Sequence, residues 1–403
     1  MSDATTKLAT PTVSDEDPFG EAILRDPLPF QERLREAGEV VHLDTYGVYA
    51  MGRYGTVRSA LLDWQSFESS AGVGLTNFRE EEPWRPPSLL LEADPPHHDA
   101  PRAVLSKILG PRELRDLAPR WHADADALVD DLVSGATEFD AVPTFAEAFP
   151  LRVFPDAVGI GKAGREHLLP YGDHLFNSFG PENFLVRRGQ PDIAEHAGWV
   201  NTQCARDALG PDGFGAKIWA AADRGDLTEQ QAPLIVRSLL SAGVDTTVHA
   251  IGALLYALAS NPDAWARLRA EPSLARVAFD EAIRLQSPVQ TFFRTTTTDV
   301  ELDGALIPRG RKILMFLGSA NRDPRHWDDP DRFSLDRDPS GHVGFGMGIH
   351  QCVGQHVARL EAVALTTAMA RRIRTIEFVG EPERHLNNTM RAWKTLPIRV
   401  EFV

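Results

Sequence analysis

The chain has 403 residues, 43% of them apolar, and a formal net charge of −15. That is enough material for a large packed core, and the acidic balance argues against a nucleic-acid partner, which calls for a basic footprint. Only two cysteines occur, Cys204 and Cys352; they share no motif, so a disulfide framework is not expected.

Residues 1–17 are polar and poor in large apolar groups, which predicts a disordered segment. No linker, charge run or repeat divides the remainder, so 18–403 reads as one domain. The N-terminus has no basic-then-apolar leader, and a cytoplasmic location is expected. Strands are predicted at 40–43 and 48–51, joined by a turn at Tyr46-Gly47. A helix is predicted at 114–133. A long helix should open at Thr228, with Gln231 completing a capping box, and run to Ser260 before Asn261-Pro262. Its stretch 234–258 is apolar enough to suggest a membrane span. Arg237, Asp245 and His249 interrupt it, so a buried helix is expected and no membrane partner. Helices at 264–268 and 274–285, strands at 299–302 and 312–317, an irregular Pro/Asp-rich connector at 321–336, a helix at 357–372 and a strand at 398–403 complete the chain. The fold class is mainly α with a minor β component.

Residues 345–354 read Phe-Gly-Met-Gly-Ile-His-Gln-Cys-Val-Gly. Glycines at 346, 348 and 354 permit unusual backbone angles and close approach by a flat group. A cysteine just before a helix has its thiolate stabilised by free N–H groups and the helix dipole. Taken alone, Cys352 also fits a buried structural cysteine. Zinc is a second alternative, because His342, His350 and His356 lie nearby, but the paired spacing of zinc sites is missing.

The segment resembles the cysteine-ligand signature of the cytochrome P450 family, F-G-x-G-x-H-x-C-x-G, at every fixed position. Three further segments appear in the family's order. Glu281-Ala282-Ile283-Arg284 is similar to its E-x-x-R helix, and with Arg332 it implies a structural ion network behind a haem. Ala242-Gly243-Val244-Asp245-Thr246-Thr247 resembles the oxygen-activating stretch. There Thr246 would bond back to the carbonyl of Ala242 and bend the helix, and Asp245 with Thr246 would relay protons; an ordinary helix bend is the alternative. Asp94-Pro95-Pro96-His97-His98-Asp99-Ala100-Pro101-Arg102 resembles a propionate-binding segment but departs from it at Asp99 and Ala100. The resemblance implies haem b with Cys352 as axial ligand and dioxygen as cosubstrate. It implies propionate contacts from His98, Arg102, Arg294 and His350, and haem contacts from Phe345, Gly346 and Gly354. It also implies electrons from NAD(P)H through a flavin reductase and a ferredoxin. Ala100 removes a basic side chain near the usual docking face.

Arg237, Ser241 and Asp245 recur at i, i+4, i+8, flanked by Ser238 and Thr246, and should form one polar stripe on the long helix. From the stripe alone, Arg237 serves either a protein carboxylate or a small aromatic acid. Segments 84–88, 176–181, 237–241 and 287–294 are similar to bacterial members of the family that O-demethylate 4-methoxybenzoate. That likeness implies that Arg85, Ser88, Arg237, Ser238 and Ser241 surround a substrate carboxylate, and that Leu91, Phe176, Phe179, Val289 and Phe292 clamp its ring. Hydroxyls and arginine suit a carboxylate, and phenylalanine suits an aromatic face. A peroxide-driven enzyme and a non-catalytic haem sensor are the rival readings; the Asp245-Thr246 pair speaks against both.

Overall fold

The computed structural model describes residues 11–133 and 135–403. Helices dominate, with a six-stranded mixed sheet at one side. Its strands run in the order Thr12–Ser14, Val41–Leu43, Val48–Met51, Lys312–Phe316, Thr291–Thr296 and Phe67–Glu68. The short strands at 41–43, 48–51 and 300–302 fall where alternation predicts them, and the last strand is Pro397–Phe402.

Two expectations about order need correction. Residues 11–17 are not featureless: Thr12–Ser14 pairs in parallel with Val41–Leu43. Backbone pairing supplies there what the side chains lack in apolar area. The rest of the expected disordered segment, 1–10, lies outside the described residues. The strand Thr291–Thr296, which carries Arg294, has no clean alternation, because four consecutive residues, Phe293 to Thr296, are buried. It is a central strand covered on both faces, and period-two reasoning misses such strands.

The long helix is a pair. Gln231–Ala242 and Asp245–Ala259 are separated by Gly243 and Val244. Its start behaves as a capping box: the Thr228 N–H donates to Gln231 Oε1 at 2.9 Å, and the Gln231 N–H donates to Thr228 Oγ1 at 3.2 Å. The break has a visible cause. Thr246 Oγ1 donates to the Ala242 carbonyl at 2.7 Å, and Thr247 Oγ1 donates to that of Gly243 at 3.2 Å. Only glycine fits at 243, where a Cβ would stand 2.4 Å from the Phe154 ring. The span Gln231–Ala259 is apolar and long enough to cross a membrane, yet 78% of its most apolar window is buried inside the protein. It packs against the helix Ala275–Gln286, and Ala275–Gln286 packs in turn on Gln355–Arg372, the helix after the cysteine loop.

Candidate active site

A cavity of about 270 Å³ lies between the helix break and the cysteine loop. Its floor is the loop: Phe345, Gly346, Cys352 and Gly354 all line it. Gly346 and Gly348 hold φ of +65° and +68°, angles that L side chains resist. The turn closes when the Cys352 N–H donates to the Phe345 carbonyl at 2.8 Å. Burial pushes the Cys352 thiol up; the N–H groups of Gly354 and Gln355, with Arg102 and Arg359, push it back down. Those opposing groups favour the thiolate that a metal would take. Cys204 is elsewhere, buried against the Val200 carbonyl, its thiol driven to about 12 by desolvation.

Behind the loop sits a satisfied ion network. Glu281 and Arg284, both fully buried, meet at 2.7 Å and 2.9 Å. Arg284 also donates to the carbonyls of Asn321, Pro330 and Arg332. The side chain expected from Arg332 is corrected here. Arg332 is exposed and offers only its carbonyl, while Arg337 brings the second guanidinium to Glu281 at 3.0 Å. The two arginines share an irregular connector, where sequence spacing says little about direction.

Beside the cysteine the cations are not satisfied. Arg294 is 3% exposed and donates to the Phe293 carbonyl, and burial lowers its guanidinium to about 10. Arg102 is lowered by burial too, opposed by Cys352. The His98 Nε2 is buried with no hydrogen-bond partner, and its ring packs edge-on against His350 at 4.9 Å. Among the described residues no carboxylate lies within ion-pair distance of Arg102 or Arg294. Desolvated cations without a counter-ion are costly. A flat dianionic cofactor set against Cys352 fits these donors. His350 differs from the other three. Its Nε2 meets Asp94 at 2.9 Å and its Nδ1 meets the Leu90 carbonyl at 3.1 Å, so both nitrogens already have protein partners.

The same cavity is lined by Arg85, Ser88, Arg237, Ser238 and Ser241, and by Leu91, Phe176, Phe179, Val289 and Phe292. Phe176 and Phe179 meet edge to face at 5.7 Å, and Phe292 tilts onto Phe179 at 6.0 Å. Arg237 is 6% exposed and donates to the Pro86 carbonyl at 2.7 Å; no carboxylate among the described residues pairs with it. Burial lowers its guanidinium, with Tyr171 opposing. Arg85, by contrast, is gripped by Glu92 through two bonds of 2.9 and 3.1 Å. Glu92 accepts the Ser88 N–H as well. Ser88 Oγ accepts from the N–H groups of Leu90 and Leu91 and stands 3.5 Å from Ser238 Oγ.

The expected polar stripe ends early. Arg237 and Ser241 line the cavity, whereas the helix break turns Asp245 out of it; Thr246 and Thr247 take the lining positions. Asp245 is 3% exposed and lies 3.0 Å from His249 Nε2. Sequence reasoning also passed over Glu92, Asp94 and the cavity-lining Tyr171. Asp94 stands in a segment singled out for its histidine and arginine, but no spacing rule marks an acid whose partner is 256 positions away.

A sequence model of the cytochrome P450 family matches residues 215–402. The chain is 56% identical, over 95% of its length and 93% of the relative's, to cytochrome P450 CYP199A2 of Rhodopseudomonas palustris. The chain is a cytochrome P450. Another relative, cytochrome P450 107B1 of Saccharopolyspora erythraea, is 31% identical over 97% of this chain and 99% of that protein. Among solved structures, the cytochrome P450 CYP109Q5 of Chondromyces apiculatus shares 31% identity with a TM-score of 0.80, covering 96% of this chain and 99% of that one. The P450 fold is therefore common to sequence and structure. The enzyme is an oxidoreductase that carries haem b on a cysteine thiolate and uses dioxygen.

Proposed function

We propose that this cytochrome P450 oxidises the para substituent of benzoates, above all O-demethylating 4-methoxybenzoate to 4-hydroxybenzoate and formaldehyde. The observation that carries this reading is Arg237: a buried guanidinium without a carboxylate partner among the described residues, lining the same aromatic-walled cavity as Cys352. A substrate carboxylate supplies the missing anion, with the Ser88 hydroxyl as a second donor. Ser238 and Ser241 now donate to the carbonyls of Leu234 and Ser238 and reach the ligand by rotating away from them. Arg85 contributes shape and a partly neutralised charge, because Glu92 already holds it.

The ring then lies between Phe176, Phe179 and Phe292, with Leu91 and Val289 at its edges. From Arg237 to Thr246 is about 13 Å along the axis at roughly 1.5 Å per residue, enough for a para-substituted benzoate. Its para group therefore falls at the Cys352 end, and positioning decides which C–H bond reacts. Cys352 would ligate the haem iron, and His98, Arg102 and Arg294 would hold its propionates. The haem, when bound, supplies dioxygen binding and the oxidising equivalents. Thr246, lining the cavity, and Asp245 behind it move protons inward. The apolar walls keep bulk water from the reacting end. A hydroxylated methoxy carbon is a hemiacetal, which collapses to phenol and formaldehyde. Electrons come from NAD(P)H through a reductase and a ferredoxin, and the enzyme works in the cytoplasm.

Reconstituted turnover tests the reading. Equal yields of 4-hydroxybenzoate and formaldehyde, with no ring hydroxylation, are expected. No product from 4-methoxybenzoate, with an intact haem-thiolate spectrum, would remove it.

A further inference from the structure

Splitting dioxygen to water and product consumes protons, and those protons must reach a cavity with apolar walls. Asp245 directly precedes the cavity-lining Thr246, yet it does not itself line the cavity. Its neighbours there form a file. Asp245 Oδ1 lies 3.0 Å from His249 Nε2 one turn on. The His249 ring lies nearly parallel to that of His385, 22° apart with centroids at 6.0 Å. His385 Nε2 meets Asp173 Oδ1 at 2.6 Å. Arg188 stands 3.7 Å from Asp173 at the surface. Side-chain exposure rises along the file: 4% at Asp245, 10% at His249, 27% at His385, 25% at Asp173 and 53% at Arg188.

We propose that His249 and His385, oriented by Asp173, form a proton relay that carries solvent protons to Asp245 and so into the oxygen-binding cavity. The file crosses three elements distant in sequence: the helix Leu168–Asn177, the helix Asp245–Ala259 and the strand Glu383–Leu386.

Each station suits its task. Asp173 is held as a carboxylate: burial works to raise it, but His385 and Asn387 prevail. It accepts from Asn387 Nδ2 at 2.8 Å and from Asn177 Nδ2 at 3.1 Å, so it orients His385 without moving. His385 exchanges with solvent. One water bridging the two rings would complete the step between them. The groups facing His249 are Asp245 on its own helix, Asp173 from the helix beside it, Glu147 from the turn of helix beneath it, and His385. Burial pushes the His249 ring down, and Asp245, Asp173 and Glu147 together hold it up. These three carboxyl groups favour the imidazolium form of His249.

Transfer is a proton passing from His249 Nε2 to Asp245 Oδ1. It neutralises both groups and dissolves the attraction that holds the carboxyl outward. The neutral acid turns toward Thr246, delivers its proton, and returns as a carboxylate; His249 is reprotonated through His385. Asp245 Oδ2 and His249 Nε2 are both buried without a hydrogen-bond partner, so the charge attraction between the two groups is what holds the carboxyl outward. Gly172 leaves the room for this movement: a Cβ there would stand 2.8 Å from Asp245 Cβ and 3.1 Å from Oδ2.

His249 and His385 act through Asp245, so the test must separate relay from packing. The holoenzyme and its His249→Asn, His385→Asn and Gly172→Ala variants are compared, using any benzoate that shifts the haem spin state. Haem content and substrate Kd should stay within about twofold. His249→Asn should slow coupled turnover tenfold or more, raise the solvent deuterium isotope effect, and abolish the fall in rate with rising pH that the wild type shows as its histidines lose protons. His385→Asn should lose about threefold and recover with added imidazole. Gly172→Ala, which crowds the turning carboxyl, should slow turnover with the pH profile kept. Wild-type rate and isotope effect in His249→Asn across the pH range would overturn the relay. Should that variant fail to hold haem, nitrogen NMR of the diamagnetic ferrous–CO wild type decides. A His249 ring protonated on both nitrogens at neutral pH supports the relay, and a neutral ring throughout overturns it. Neither readout depends on which benzoate is the natural substrate.

Discussion

Two sets of buried arginines make the instructive contrast. Arg284, behind the cysteine loop, is fully enclosed and every direction of its guanidinium is met by protein. Arg237, Arg102 and Arg294 are also desolvated, yet each meets at most a backbone carbonyl and no carboxylate among the described residues. The first set is finished by folding. On the proposed reading the second is finished only by ligands: haem propionates at Arg102 and Arg294, and a substrate carboxylate at Arg237. Arg85 stands between the two sets: Glu92 neutralises it, but its Nε is buried without a hydrogen-bond partner.

Substitutions should separate the two sets. Glu281→Ala strands Arg284 in the core, and about 3–5 kcal/mol of stability should be lost; denaturant unfolding or the failure to recover folded protein reads this. Arg237→Met removes an unpaired buried charge. Its melting temperature should therefore hold or rise, while affinity for 4-methoxybenzoate falls by about 2 kcal/mol or more, roughly thirtyfold. If the melting temperature dropped as for Glu281→Ala, Arg237 would be structural and the contrast would fail. Glu92→Gln frees Arg85, and benzoate binding should tighten by about 1 kcal/mol or less, read by spin-state titration.

The smallest effect is in pH dependence. The His249 ring is raised above its ordinary value. Its stabilisation is therefore complete below about pH 6.5, the unperturbed value, and is lost as pH rises through the higher folded value. His249→Asn should lower the melting temperature below that pH and flatten its decline above it. A flattening on the acid side instead would mean that His249 is held neutral.

Much of this was legible in the residues, unevenly. The cysteine loop is contiguous and its glycine spacing states its backbone geometry, so the resemblance carried by residues 345–354 pointed to Cys352, where the residues alone left a structural cysteine or zinc open. The Thr246 bond to Ala242 is local, and the helix break was readable for the same reason. Its consequence was not: the irregular backbone at Gly243 and Val244 rotates Asp245 off the face that holds Arg237 and Ser241. Charge compensation was the other blind spot. Arg85 and Arg237 look alike as letters; only the fold brings Glu92 to one and leaves the other without a partner. The same holds for Arg337 taking the place expected of Arg332, and for His385 arriving beside His249 from a distant strand.

The most direct test of the unpaired-arginine account is a spin-state titration of the wild-type holoenzyme and Arg237→Met with 4-methoxybenzoate and its neutral amide. The wild type should bind the acid at least thirtyfold more tightly than the amide, and the variant should lose most of that preference. Equal binding of acid and amide by the wild type, or an unchanged preference in the variant, would contradict it.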